Sequence, residues 1–127
     1  MTEEVKHADI VSFTCLKAFA FDQRYERKDA HDLIYCLENA PERMDAVAPE
    51  FRDALAGKHG AVIKDALSIL VKRFATDDKS EGYRKDGPVA VARFELGEGE
   101  DAAQREQRLL RQRQVTDVIE QLIKKIG

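Results

Sequence analysis

The residues able to do chemistry concentrate in one stretch, CLKAFAFDQRYERKDAHDLIYCL, from Cys15 to Leu37. Lys17 is the only charged residue between Asp9 and Asp22. An ammonium in so apolar a run must reach water or find an anion, because burying it unpaired is costly. Asp29 and Asp32 follow at the start of the next segment, close enough in sequence to fold back on Lys17. At about 100° per residue, Ile10, Phe13, Thr14, Lys17, Phe21 and Arg24 share one helical face, with Lys17 and Arg24 about 10.5 Å apart along the axis. Arg27 and Lys28 extend this row of cations. Such a row suits a polyphosphate, with lysine acting as a point charge and arginine binding bidentately. The same residues also admit a structural reading. Lys17 can pair with Asp29 or Asp32 across a two-helix hairpin, and Asp29 can serve as a helix cap.

The elements that must position these residues are helical. High charge, helix-favouring composition and only three prolines predict an all-α fold. We expect five to six helices packed around an apolar first helix, in a single domain covering residues 1–127. The first helix is expected from about Ala8 to Gln23, with Ile10, Val11, Phe13, Leu16, Phe19, Ala20 and Phe21 nearly encircling it. The second should run from a cap at Asp29 to about Glu38 and end at Asn39-Ala40-Pro41. Two short helices are expected, one over 42–47 and one over 49–55, the latter with Pro49 in its first turn. An amphipathic helix over 61–74 places Val62, Ile63, Ala66, Leu67, Leu70, Val71 and Phe74 inward. A polar loop follows over 76–87. Pro88 to Phe94 reads as a short helix despite its valines. The last helix spans about 101–126, with Leu109, Leu110, Val115, Val118, Ile119, Leu122, Ile123 and Ile126 marking its buried side.

Elsewhere the chemistry is thinner. Four arginines against one glutamate over 104–114 suggest a phosphate-backbone contact through Arg105, Arg108 and Arg111, for instance with RNA. These three drift around the helix by about 60° per step, and no aromatic residue lies there for base stacking. A solvated helix face is the plainer reading. His7, His31 and His59 form no metal spacing with Cys15 and Cys36, so no metal site is expected. Both cysteines sit in apolar runs, as unpaired core cysteines do. Two cysteines, and a start (MTEEVKHAD) without signal-peptide character, point to the cytoplasm. No run approaches the roughly 18 apolar residues of a membrane span. The net charge is −3, which gives no global case for nucleic acid.

The block LKAFAFDQRYERKDAHDL resembles the second half of the AbiE-type (AbiEii toxin) nucleotidyltransferase-like proteins of the bacterial toxin–antitoxin and abortive-infection class. A looser similarity continues through RFATDD, GPVAVARF and the last helix. The resemblance implies that Lys17 contacts nucleotide phosphates, that Asp29 or Asp32 sets the site, and that Arg24 orients that acid or the turn, with Lys28 beside them. It also implies an earlier half carrying Gly-Ser and an Asp-x-Asp pair on a strand, which holds Mg²⁺ and activates the attacking group. This chain contains no Gly-Ser, and its only one-apart acidic pairs, such as Glu98 and Glu100, lie in flexible links. The expectation is therefore a helical domain, not catalytic alone and with no cofactor of its own. Mg²⁺ with a nucleoside triphosphate would enter only with a catalytic half. The alternative is a non-catalytic, antitoxin-like interaction protein that forms a homodimer or binds a partner chain, since an apolar first helix needs covering.

Overall fold

The computed structural model describes residues 7–39 and 44–127. Six helices account for nearly all of it: α1 (His7–Arg24), α2 (Arg27–Glu38), α3 (Met44–Ala56), α4 (Gly60–Phe74), α5 (Asp86–Leu96) and α6 (Ala102–Ile126). A 3-10 turn, Gly82–Arg84, breaks the loop after α4. The all-α architecture is the one the composition predicts. Helices α1 and α2 form an antiparallel hairpin, α2 packs on α5, and α5 packs on α6. Helix α3 joins α6 back to α1, and α4 touches α1, α3, α5 and α6.

The core is one continuous cluster. Phe21 from α1, Leu33 and Ile34 from α2, Phe51 from α3, Leu70 and Phe74 from α4, Val91 from α5 and Ile119 from α6 are all fully buried within it. Ring contacts help to join it. Phe21 lies 6.1 Å from Phe74 and 5.9 Å from Tyr25, the latter edge-on. Gly87, at the start of α5, lets that helix approach α4. A Cβ there would come within 2.6 Å of the Phe74 ring and 2.7 Å of the Arg73 carbonyl.

Several boundaries differ from expectation for physical reasons. The two short helices expected around Pro49 are one helix, α3, with Pro49 in its interior; residues 42 and 43 lie outside the described ones. An interior proline forfeits one backbone hydrogen bond at a cost of about 3 kcal/mol. Burial of Val47, Ala48 and Phe51 on the same helix offsets it. The cap of α2 is Glu26, not Asp29, and Glu26 makes no side-chain cap bond. Asp29 sits one turn further in, which frees its carboxylate for another task. Helix α6 does start as expected, with the Asp101 carboxylate accepting a bond from the Gln104 N–H.

The apolar faces also run narrower than predicted. Leu16 on α1 is 64% exposed, so the first helix keeps an open side. Val62 and Val71 on α4 are exposed, leaving Ile63, Ala66, Leu70 and Phe74 as its buried stripe. On α6 Leu109 and Leu110 face outward, and Arg108 is buried instead. No helix among the described residues is long and apolar enough to cross a membrane.

Candidate functional site

The α1–α2 hairpin brings together Lys17, Arg24, Lys28, Asp29 and Asp32, while Arg27, the other cation of the expected row, turns away to Glu98. Its tight turn carries Tyr25 in the left-handed region at φ 58°, which closes the hairpin within two residues. The Lys17 ammonium lies 3.3 Å from Asp29 Oδ1 and 3.1 Å from Asp32 Oδ2. The Arg24 guanidinium donates to Asp29 Oδ2 at 2.8 Å, and Lys28 donates to Asp32 Oδ2 at 2.8 Å. The charges therefore alternate along a chain from Arg24 through Asp29, Lys17 and Asp32 to Lys28. The Phe13 ring lies under Lys17, 5.5 Å from the ammonium, and adds a cation–π contact.

Burial is graded across this chain of charges. Only 5% of the Asp29 side chain is exposed, against 61% for Arg24 and 68% for Lys28. Asp32 and Lys17 lie between these extremes. Asp29 is the buried member and Arg24 and Lys28 form the exposed ends, and three cations against two carboxylates leave an excess of one positive charge. Burial raises the Asp32 carboxyl pKa, but hydrogen bonds and charge from Lys28 and Lys17 outweigh it and hold the group below the usual range. The Lys17 ammonium is held above its usual range, chiefly by its bond to Asp32 and against the opposing effect of desolvation.

These contacts limit the chemistry. Asp29 has both oxygens engaged by cations, and one oxygen of Asp32 is engaged twice. A divalent ion at Asp29 would first have to displace these cations, whereas Asp32 is engaged through Oδ2 alone. Among the described residues, no three His, Cys, Asp or Glu side chains converge as metal ligands. Asp29 pairs with Lys17 and Arg24, and Asp32 with Lys17 and Lys28.

The arginine segment of α6 is arranged differently from the expected stripe. Arg105 is exposed, but Arg108 is buried and donates to the Gly97 carbonyl at 3.2 Å. Arg111 is a structural hub joining three helices. It grips both oxygens of Glu38 on α2 at 2.8 Å and bonds Glu95 on α5 at 2.7 Å. His31 Nδ1 joins the same carboxylate of Glu95 at 3.0 Å, and its ring lies between Tyr35 and Phe94. Two of the three predicted nucleic-acid contacts are thus spent inside the protein.

A second hub was not legible as a site in the sequence. Arg73, at the end of α4, bonds Asp22 at 3.0 Å and Asp86 at 2.7 Å, reaches the Tyr25 hydroxyl, and covers the Tyr25 ring at 4.5 Å. Its only sequence signal is a basic residue in a last helical turn, a common feature of helix C-termini.

Cys15 and Cys36 are both unpaired. Burial pushes the Cys15 thiol up to about 11 and raises that of Cys36 as well. The thiolate is the reactive form. With a thiol-specific disulfide reagent at pH 8, Cys36 is therefore expected to react first and Cys15 only as the protein opens. Equal rates at the two positions would contradict this burial. The pH dependence has a definite sign. The folded value for Cys15 lies above its unfolded value of 9.0, so its contribution to stability is complete below pH 9 and fades as pH rises through about 11. A Cys15→Ala variant is expected to lose that alkaline slope in denaturant titrations.

Compared with known proteins, the chain matches no family model, no curated protein and no solved structure.

Proposed function

We propose that this chain is a nucleotidyltransferase-like helical domain of toxin–antitoxin or abortive-infection type. Its α1–α2 hairpin presents cations to the phosphates of a nucleotide held by a catalytic half elsewhere. One observation carries this reading. The lysine, arginine and paired aspartates of the LKAFAFDQRYERKDAHDL block form a single network, with Asp29 buried, Lys17 and Asp32 half-buried, and Arg24 and Lys28 exposed at its two ends. The two carboxylates fix the cations in advance, so a bound polyphosphate need not order them. Arg24 and Lys28, exposed at either end, make the outer phosphate contacts, with Lys17 between them. The carboxylate pair that would hold Mg²⁺ belongs to the catalytic half, since Asp29 and Asp32 are already neutralised by this chain's own cations.

The test is calorimetry with ATP, GTP, CTP and UTP in the presence of Mg²⁺. At least one is expected to bind the wild type, and Arg24→Gln/Lys28→Gln should weaken it about tenfold, a loss of about 1.4 kcal/mol. Both substitutions lie on the rim, so circular dichroism should be unchanged. Absence of binding by the wild type, or binding indifferent to the double substitution, would sink the proposal.

A second reading, a non-catalytic interaction protein, draws on the open side of α1. Leu16 there is 64% exposed, and Phe13 and Ala20 are partly so. Sedimentation equilibrium separates the two. A stable homodimer that Leu16→Lys dissolves, together with no nucleotide binding, would favour the interaction protein.

A further inference from the structure

On the other side of the hairpin turn, facing α5, lies a groove of about 200 Å³. Phe21, Tyr25, Val89 and Ala90 supply its apolar surface, the half-exposed Arg27 and Arg93 stand on its rim, and Asp86 completes its lining. Asp86 is already neutralised by Arg73. The two rim guanidiniums converge instead on the carboxylate of Glu98, which bonds Arg27 and lies 3.9 Å from Arg93. Arg27, then Arg93 and Arg108, hold the Glu98 carboxyl below its usual range.

Glu98 belongs to neither helix. It sits in the link between α5 and α6, flanked by Gly97, at φ 80°, and Gly99. It is more than half exposed. A carboxylate on so permissive a link can leave its arginines without unfolding a helix.

The half-exposed Tyr25 ring is a wall of the groove, with the Arg73 guanidinium over it at 4.5 Å.

We propose that this groove binds a small anion with a ring-sized apolar body, a carboxylate or phosphate monoester, and that Glu98 occupies the anion position until the ligand displaces it. The ligand's anion takes the Arg27 and Arg93 guanidiniums, which suit either oxyanion. Its body lies against Tyr25 and Val89. Glu98, tethered beside the site, competes as an intramolecular ligand at high effective concentration. This site does not depend on the Lys17 cluster.

Benzoate, phenyl phosphate and inorganic phosphate, titrated by NMR against the full chain, test the proposal. Glu98→Ala is expected to bind benzoate or phenyl phosphate about tenfold more tightly than the wild type, because the internal competitor is gone. Adding Arg27→Ala and Arg93→Ala should abolish the gain, and Lys28→Gln should not affect it. Preference for benzoate identifies a carboxylate site, and preference for phenyl phosphate a phosphate site. The proposal is overturned if Glu98→Ala binds neither probe more tightly than the wild type. It is equally overturned if the gain survives loss of both arginines, or if inorganic phosphate binds as well as phenyl phosphate. Glu98→Gln, which keeps the side chain's size, should give the same gain and guards against a change in the link itself.

Discussion

Arg111→Met is expected to destabilise the protein by about 2–4 kcal/mol at pH 7, whereas Arg105→Met changes stability by less than about 0.5 kcal/mol. The two arginines are six residues apart on one helix, and from composition alone they look alike. Their surroundings decide the difference. The Arg111 side chain is only 16% exposed and is the cation between Glu38 and Glu95. Methionine keeps much of the stem's packing but leaves two carboxylates near one another with their shared cation gone. The cost is mostly this unpaired charge, not the loss of a favourable bond. His31 offers Glu95 one remaining partner, which sets the lower end of the range.

Acid should shrink the gap. Burial raises the Glu95 pKa, but the bond and charge of Arg111 outweigh it and leave the folded value below the ordinary 4.5. A depressed carboxylate contributes stability above its unfolded value and loses it as pH falls through the folded one. The wild type therefore forfeits this contribution as pH falls below 4.5 and through the folded value, and Arg111→Met has less of it to lose. Urea midpoints at pH 7 and pH 3 measure both effects. A loss at pH 7 equal to that of Arg105→Met would mean the hub contributes nothing and that Arg111 is available for a ligand after all.

Helical phase explains why this hub was misread in the sequence. Relative to Val115, at about 100° per residue, Arg108 and Arg111 fall within about 40° of the buried line through Ile119 and Leu122. Leu109 and Leu110 fall about 120° or more away. Counting leucines as inward placed them on the wrong side, while strict phase would have placed the arginines correctly. The hairpin cluster was more legible because its residues are local. Lys17 in an apolar run, with two aspartates a short turn away, has few other places to find an anion. The seat of Asp29 was not legible as finely, because a cap and a third helical residue differ by one turn that only the Glu26 backbone decides. Arg73 with Asp22 and Asp86, and Arg27 with Glu98, join residues 13 to 71 positions apart, and no local pattern announces such pairs. The outward Leu16 eluded composition for a related reason. Hydrophobicity shows what a helix can bury, and the neighbours decide which side they cover.

Lys17→Met is expected to cost about 2 kcal/mol, less than a buried lone pair because each carboxylate keeps another cation. Asp29 retains Arg24, and Asp32 retains Lys28. What disappears is the one ammonium that both acids share, leaving two neighbouring carboxylates to repel each other. If repulsion is the source of the cost, Asp32→Asn placed in the Lys17→Met background should recover about half of it, a coupling that a double-mutant cycle isolates. Asp32→Asn alone should destabilise, since it removes the acceptor that Lys17 and Lys28 share. The pH dependence follows the same sign as at Glu95. The folded Asp32 carboxyl lies below its ordinary 3.8, so its stabilisation is present above that value and is lost as pH falls through the folded one. Wild type and Lys17→Met should therefore converge in acid. This result also bears on function. Lys17→Met weakens the fold and the phosphate surface together, so loss of nucleotide binding in that variant alone cannot assign Lys17 to a ligand. Lys17→Arg keeps the charge with a different reach and geometry. If Lys17 only bridges the two acids, Lys17→Arg should keep stability and nucleotide binding in step. If it also meets phosphate as a point charge, stability should hold while affinity drops. Parallel urea melts and nucleotide titrations of wild type, Lys17→Arg and Lys17→Met distinguish these outcomes, because the bridging role alone predicts no affinity change that stability does not account for.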